Sequence, residues 1–213
     1  MSAGRLAALF ALLALAAPVP ARAQTTPTLD ALLAAYAKIP GLQARYVRTS
    51  RSALLVAPVT ARGTLYFTRP GYLLQRDDAG TRTLITPTAV HVTRGSKRAT
   101  MALGRSAEAN AMTLPMVWLF GGQRAGMASA YKIAFRRGPD GSWTLRLTPK
   151  SAKVAKVLRA IEVYGKGLAT TKIVFRSGYD DTTEIVLSKV NPERRFSAAE
   201  KKTLFGLRSA AQK

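Results

Sequence analysis

The chain has 213 residues, with 33 Lys and Arg against 11 Asp and Glu, a formal net charge of +22, one histidine and no cysteine. The absence of cysteine excludes disulfides, lipidation of a cleavage-site cysteine, and zinc centres of the usual Cys/His make-up, so stability must come from a buried core. A charge this basic attracts anionic partners, although solubility and compositional bias account for it as well, and no mechanism rests on it.

Residues 1–5 carry Arg5, residues 6–17 are almost wholly Ala, Leu and Phe, and Pro18-Val19-Pro20 precedes Ala21-Arg22-Ala23. A basic start, a short apolar stretch and an A-x-A site predict a secretory signal peptide over 1–23 and a single domain over 24–213. The alternative, a retained anchor, is opposed by length, because a spanning helix needs about 20 apolar residues. Export would turn the basic surface away from nucleic acid, the first choice for a cytoplasmic protein, and towards anionic headgroups at a membrane.

A helix is expected next, with Thr26 as N-cap, Pro27 in its first turn and Leu29, Leu32, Leu33 and Tyr36 at helical spacing, ending at Pro40-Gly41. The period then changes to two. Leu42, Ala44 and Tyr46 alternate with Gln43, Arg45 and Val47, and Leu65 and Phe67 share a face opposite Tyr66 and Thr68. Short runs follow at 72–76, 82–86, 89–93 and 97–103, separated by turn residues such as Asp77-Asp78-Ala79-Gly80 and Gly95-Ser96. Residues 106–120 read as a helix kinked or interrupted at Pro115 and closed by Gly121-Gly122. Strands resume at 131–137, 143–149, 157–164, 168–176 and 182–190, and 197–205 suggests a short closing helix. The whole is an α+β arrangement: a large antiparallel sheet, about 10–11 strands, with helices on one face. A sheet of that size must curl or close.

Catalytic machinery is hard to find. The lone His91 sits in a strand-like run, there is no G-x-S-x-G elbow, and Asp77-Asp78 and Asp180-Asp181 lie beside glycines as turn residues do. No phosphate-cradling glycine loop or cofactor fingerprint occurs. The expectation is therefore a non-enzymatic protein with no catalytic residue, no metal and no cofactor. An acyl-processing enzyme is the weaker alternative, since no nucleophile–base set is visible. A scaffold without a ligand is the other.

Three stretches resemble the LolA family. Gly63-Thr64-Leu65-Tyr66-Phe67-Thr68-Arg69-Pro70-Gly71 is similar to its G-x-L-x-[aromatic or aliphatic]-x-R-P motif. Trp143-Thr144-Leu145-Arg146-Leu147-Thr148-Pro149-Lys150 is similar to its W-x-L-x-L-x-P-K motif, and Leu42-Gln43-Ala44-Arg45-Tyr46 stands at its first strand, F-x-A-x-F. The helical insert before Gly121-Gly122 corresponds to the family's lid. The order of these stretches, covering nearly all of 24–213, carries the resemblance.

What the resemblance implies is an incomplete antiparallel β-barrel with a helical lid on its concave face. It further implies a soluble, monomeric carrier that takes lipoproteins from an inner-membrane ABC transporter to an outer-membrane acceptor across the periplasm, with no nucleic-acid partner. A lipid-binding cavity would then be lined by Leu42, Tyr46, Leu65, Phe67, Leu73, Trp143, Leu145 and Leu147 on the sheet and by Met112, Met116 and Val117 on the lid. Taken one at a time, the same side chains are better read as a filled core, since apolar strand faces are usually packed; the resemblance shifts the set as a whole towards a cavity. Arg69 stands at the family's latch position, where its five N–H donors would hold lid carbonyls. The chain departs from the family at Tyr72-Leu73-Leu74-Gln75-Arg76, where other members carry cavity aromatics, and at Arg48, where Gln is common. The cargo class therefore stays open between lipoproteins and a glycolipid or other acylated molecule.

Overall fold

The computed structural model describes residues 28–104, 106–178 and 181–207. The expected signal peptide, Thr26, Pro27 and Asp180 lie outside them. In chain order come α1 (Leu29–Tyr36), β1 (Gly41–Arg51), β2 (Val59–Thr68), β3 (Tyr72–Asp77), β4 (Thr81–Ile85), β5 (Ala89–Arg94) and β6 (Lys97–Ala102). The helices α2 (Ala107–Gly121) and α3 (Arg124–Ala130) follow, then β7 (Tyr131–Arg137), β8 (Ser142–Pro149), α4 (Ala152–Val157), β9 (Leu158–Lys166), β10 (Ala169–Ser177), β11 (Thr182–Asn191) and α5 (Ala198–Phe205).

All eleven strands form one antiparallel sheet in the order β6-β5-β4-β3-β2-β1-β11-β10-β9-β8-β7. The first and last strands of the chain pair with each other, β1 with β11, so the two meanders join at the centre. The edges β6 and β7 do not pair, and the barrel is incomplete, as expected. The helices α2 and α3 are the link between those two edges.

Side-chain parity sorts the sheet into two faces. Leu42, Tyr46, Leu65, Phe67, Leu73, Leu145, Leu147, Ile161, Val163 and Ile173 point to one, where they join Leu32, Leu33 and Tyr36 of α1 and Met116, Leu119 and Phe120 of α2 in one buried cluster. The other face is not bare. Leu74 and Leu84 meet Phe196 and Phe205 in a second cluster, with Tyr66 and Tyr72 against it. The closing helix α5, started by a full Ser197/Glu200 capping box, therefore covers the opposite face from α1 and α2. Helices on one face only is thus corrected. The adjacent pair Leu73-Leu74 needed burial on both sides.

Three other local expectations change. The cap of α1 is Thr28, whose hydroxyl accepts from the Ala31 N–H at 3.1 Å, two residues after the expected Thr26. Residues 152–157 fold as α4, capped by Ser151, before the strand that was expected to begin at Val157. Most informative is α2, which runs through Pro115 without interruption. Proline has no N–H for the carbonyl four residues back, Ala111. The Tyr131 hydroxyl donates to that oxygen at 2.6 Å and replaces the missing donor. At the far end Gly122 adopts φ 70°, and its lack of Cβ lets the turn sit against Leu33 and Ala37 of α1.

Candidate functional site

The expected lining residues converge, but not around an empty space. Leu42, Tyr46, Leu65, Phe67, Leu73, Met116, Val117, Trp143, Leu145 and Leu147 all belong to the buried cluster beneath α1 and α2. Their own side chains and the two helices fill that region. Met112 stands apart at 49 % exposure, on the outward side of α2. Trp143 is fixed rather than free: it lies over Gly165, where a Cβ would meet the indole at 2.2 Å, and its Nε1 donates to the Gly167 carbonyl at 2.8 Å.

Unfilled volume lies next to this core. An apolar cleft of about 550 Å³ runs between α2, the α3–β7 junction and α4. Its wall on α2 is Ala107, Asn110, Ala111, Leu114 and Trp118, spaced at one face of a helix, opposed by Ala130, Tyr131 and Val154. Ala111, Tyr131 and Val154 belong to the core cluster, and Trp118 packs against it, so the cleft and the packed region share a wall. A cation stands at the rim: Lys150 Nζ donates to the Ala128 carbonyl at 2.6 Å. Glu108 of α2 pairs with Lys153 of α4 at 3.0 Å, each next in sequence to a lining residue, Ala107 and Val154. The backbone N–H of Glu108, then Lys153 and Ser106, hold that carboxyl below the usual range. Burial pushes the Tyr131 phenol up, so it remains a neutral donor to Ala111.

Arg69 follows β2 and turns its guanidinium onto the C-terminal end of α1. Nε donates to the Ile39 carbonyl at 3.1 Å, and one terminal nitrogen donates to Tyr36 O at 2.9 Å and to Ala37 O. Of these carbonyls Tyr36 ends α1, Ala37 caps it and Ile39 lies just beyond; none belongs to the helix before Gly121-Gly122, where the latch reading had placed them. The two helices are coupled all the same, with the Tyr36 and Phe120 rings 5.9 Å apart, edge to face. A cation at a helix C-terminus also meets the negative end of the helix dipole.

The polar residues singled out in the sequence sit with local partners. Among the described residues there is no group of three or more His, Cys, Asp or Glu that could hold a metal ion. His91 Nδ1 lies 3.0 Å from Thr100 Oγ1 of the neighbouring strand. Asp77 accepts from the Thr81 N–H at 2.6 Å in its turn, and Asp78 pairs with Arg45 at 3.0 Å. On the outer face, burial raises the Glu162 carboxyl, but Arg176, Tyr164 and Arg146 outweigh it and hold the group below the usual range. No helix among the described residues is long and apolar enough to cross a membrane.

A sequence model of the family described as outer membrane lipoprotein carrier protein, LolA-like, matches residues 21–198. No curated protein matches the chain. Among solved structures, a DUF1329 family protein from Desulfovibrio piger is 14 % identical, covers 83 % of this chain and 96 % of its own, and superposes with a TM-score of 0.46. A LolA superfamily protein from Nitrosomonas europaea is 12 % identical over 78 % of this chain and 93 % of its own, with a TM-score of 0.39. LprF from Mycobacterium bovis is 12 % identical over 76 % and 90 %, with a TM-score of 0.35. With the family match spanning most of the sequence, from before the first described helix into α5, the chain belongs to the LolA-like family of outer membrane lipoprotein carrier proteins.

Proposed function

We propose that the protein is a periplasmic carrier that shelters the acyl chains of lipoproteins and moves them from the inner to the outer membrane. Residues 1–23 act as its export signal and 24–213 as one carrier domain. The observation that carries this reading is the apolar cleft beside α2. Its volume, about 550 Å³, falls in the roughly 300–1,000 Å³ range of small-molecule sites, and it abuts the aliphatic and aromatic core. An acyl chain of ~16 carbons costs roughly 12 kcal/mol to expose to water, at about 0.8 kcal/mol per CH₂. A carrier must supply matching apolar surface and still let go.

In this reading the chain seats first in the cleft, against Leu114, Trp118 and Tyr131. Lifting α1 and α2 then offers it Leu42, Tyr46, Leu65, Phe67, Leu73, Trp143, Leu145 and Leu147 on the sheet and Met116 and Val117 from above, with Met112 at the rim. Methionine adapts to irregular ligands. Arg69 favours the closed arrangement by holding α1, and closure returns the core to its own side chains and expels the cargo. The donor is an inner-membrane ABC transporter and the recipient an outer-membrane acceptor. No catalytic step is involved. The test is organic-solvent extraction of protein purified from the periplasm, followed by mass spectrometry. Acyl-peptide species support the reading. A glycolipid replaces the cargo, and the absence of any acylated species from loaded and freshly purified protein defeats it.

A further inference from the structure

The β1–β2 hairpin ends in the most exposed apolar segment among the described residues. Leu54 is 94 % exposed and Val56 fully so, with Val59 at 56 % and Leu55 at 42 %. The tip has an ordered shape: the Leu55 N–H donates to Ser52 O at 3.1 Å and the Leu54 N–H to Ser52 Oγ at 3.2 Å. That turn directs aliphatic side chains away from the protein's own surface, where they touch no core. Exposed aliphatics grouped at a protrusion mark a contact site.

The surroundings identify the partner's chemistry. Residues 43–63 carry Arg45, Arg48, Arg51 and Arg62 and no acid. Arg45 is engaged by Asp78; Arg48, Arg51 and Arg62 lie nearer the tip. The register extends this basic end across the sheet, since Arg51 pairs with Thr182, Thr182 with Arg176 and Arg176 with Ala160, which adjoins Arg159 and α4 with Lys153 and Lys156; of these, Arg176 and Lys153 are already engaged by Glu162 and Glu108. Glu184, opposite Thr49, and Asp181 are the acids on the neighbouring β11 side. An aliphatic point with a collar of arginines matches a bilayer with anionic phospholipid headgroups. The point enters the acyl boundary and the long cations reach phosphates from their flexible stems. A groove in a protein would match the apolar tip but would leave the cationic collar without counterpart.

We infer that the β1–β2 hairpin is a membrane-docking element: Leu54, Leu55, Val56 and Val59 insert into the surface of an anionic phospholipid bilayer while Arg48, Arg51 and Arg62 bind its phosphates. The same end of the sheet holds α4 and one wall of the apolar cleft, so docking brings the cleft to the lipid surface. The inference stands on the surface chemistry of the hairpin and does not need the carrier reading to hold.

Vesicle flotation tests it, using mixed phosphatidylglycerol–phosphatidylcholine vesicles against phosphatidylcholine alone. The protein should float with the mixed vesicles, and Leu54→Ser/Val56→Ser should reduce partitioning about tenfold or more, as expected from losing two buried aliphatics. The control Lys201→Gln/Lys202→Gln, which removes two charges on α5, should partition like the parent. A Leu54→Trp variant should be quenched by lipids brominated along the acyl chain. Parental flotation of the serine pair, no flotation of the parent, or an unquenched Leu54→Trp would each overturn the inference. Binding of a fluorescent fatty-acyl probe in solution separates the two readings. The serine pair retains it if the carrier reading is right. Its loss from the parent defeats that reading and leaves the docking result standing.

Discussion

Tyr36 is held twice, and one of its holders is Arg69. The guanidinium of Arg69 donates to the Tyr36 carbonyl at 2.9 Å, while the Tyr36 hydroxyl lies 2.8 Å from Thr170 Oγ1 and donates to the Leu168 carbonyl at 3.0 Å. Arg69 follows β2 and Thr170 lies in β10, on opposite sides of the central β1–β11 pair. One residue of α1 thus ties both halves of the sheet to the helix that covers their shared core. Release of α1 requires both ties to part.

Arg69→Leu removes the tie that can open without exposing the ring. Hydrogen bonds from a charged donor contribute about 1.5–3 kcal/mol each, and those to Tyr36 and Ile39 share one half-exposed side chain, so a loss of about 2 kcal/mol from the closed state is expected. A ligand that binds the open state then gains by the same amount. The variant should still take up acyl cargo and should fail to release or transfer it. A transfer assay to an acceptor membrane measures this, and hand-off at the parental rate would rule out the latch.

Tyr36→Phe cuts the other tie and gives a pH signature. Burial pushes the Tyr36 phenol from 10.0 up to about 12, with the Thr170 bond working against it. The folded state therefore prefers the neutral phenol. Its contribution is complete below pH 10 and is lost as pH rises towards 12. Urea unfolding followed across that window should show stability falling in the parent, with a smaller fall in Tyr36→Phe. At neutral pH the variant should be about 1–3 kcal/mol less stable, because the Thr170 hydroxyl is left buried without its partner. Equal alkaline slopes in the two proteins would remove Tyr36 from the account.

The sheet was readable from sequence because its alternation is regular: Leu42 and Tyr46, Leu65 and Phe67, and Leu145 and Leu147 all occupy the face that parity assigns them. The place of Arg69 just after β2 was readable from Arg69-Pro70, although its carbonyl partners at Tyr36, Ala37 and Ile39 were not. The cleft was missed for a physical reason. Its walls belong to α2, the α3–β7 junction and α4, and six or seven residues of α3 or α4 are too short to show a helical period. Two local signals were present. Ser151 is a good cap for the turn at 152–157, and Asn110, Leu114 and Trp118 recur at helical spacing. The hairpin tip was passed over because an apolar run in a loop has no periodicity to detect. Whether the interior was cavity or core could not be decided by residue type, since the same leucines serve both.

Tyr131→Phe tests how α2 tolerates Pro115. The Ala111 carbonyl loses the hydroxyl that replaces the proline's missing N–H, at a cost of about 1–3 kcal/mol. In a Pro115→Ala background the backbone N–H at 115 becomes available to that carbonyl. The hydroxyl should then matter much less. A double-mutant cycle in thermal or urea unfolding should give a coupling of about 1 kcal/mol or more. Additive losses would mean that the Tyr131 hydroxyl and the proline act independently.

Filling the cleft should separate binding from folding. Leu114 is half-buried, lines the cleft and does not belong to the packed cluster, so a larger ring there has about 550 Å³ to occupy rather than a core to disrupt. Leu114→Trp is therefore expected to keep a melting temperature within a few degrees of the parent, a change of less than about 1 kcal/mol. The same ring takes the space that the first segment of an acyl chain needs. Affinity for a fluorescent fatty-acyl probe should fall about tenfold or more, the equivalent of two methylenes denied burial at about 0.8 kcal/mol each. Trp118, on the same wall, offers a readout through its emission, which should shift on probe binding in the parent and in Trp143→Phe but not in Trp118→Phe. If Leu114→Trp binds the probe as the parent does, the acyl chain seats elsewhere, and the packed region beneath α1 and α2 would have to open first.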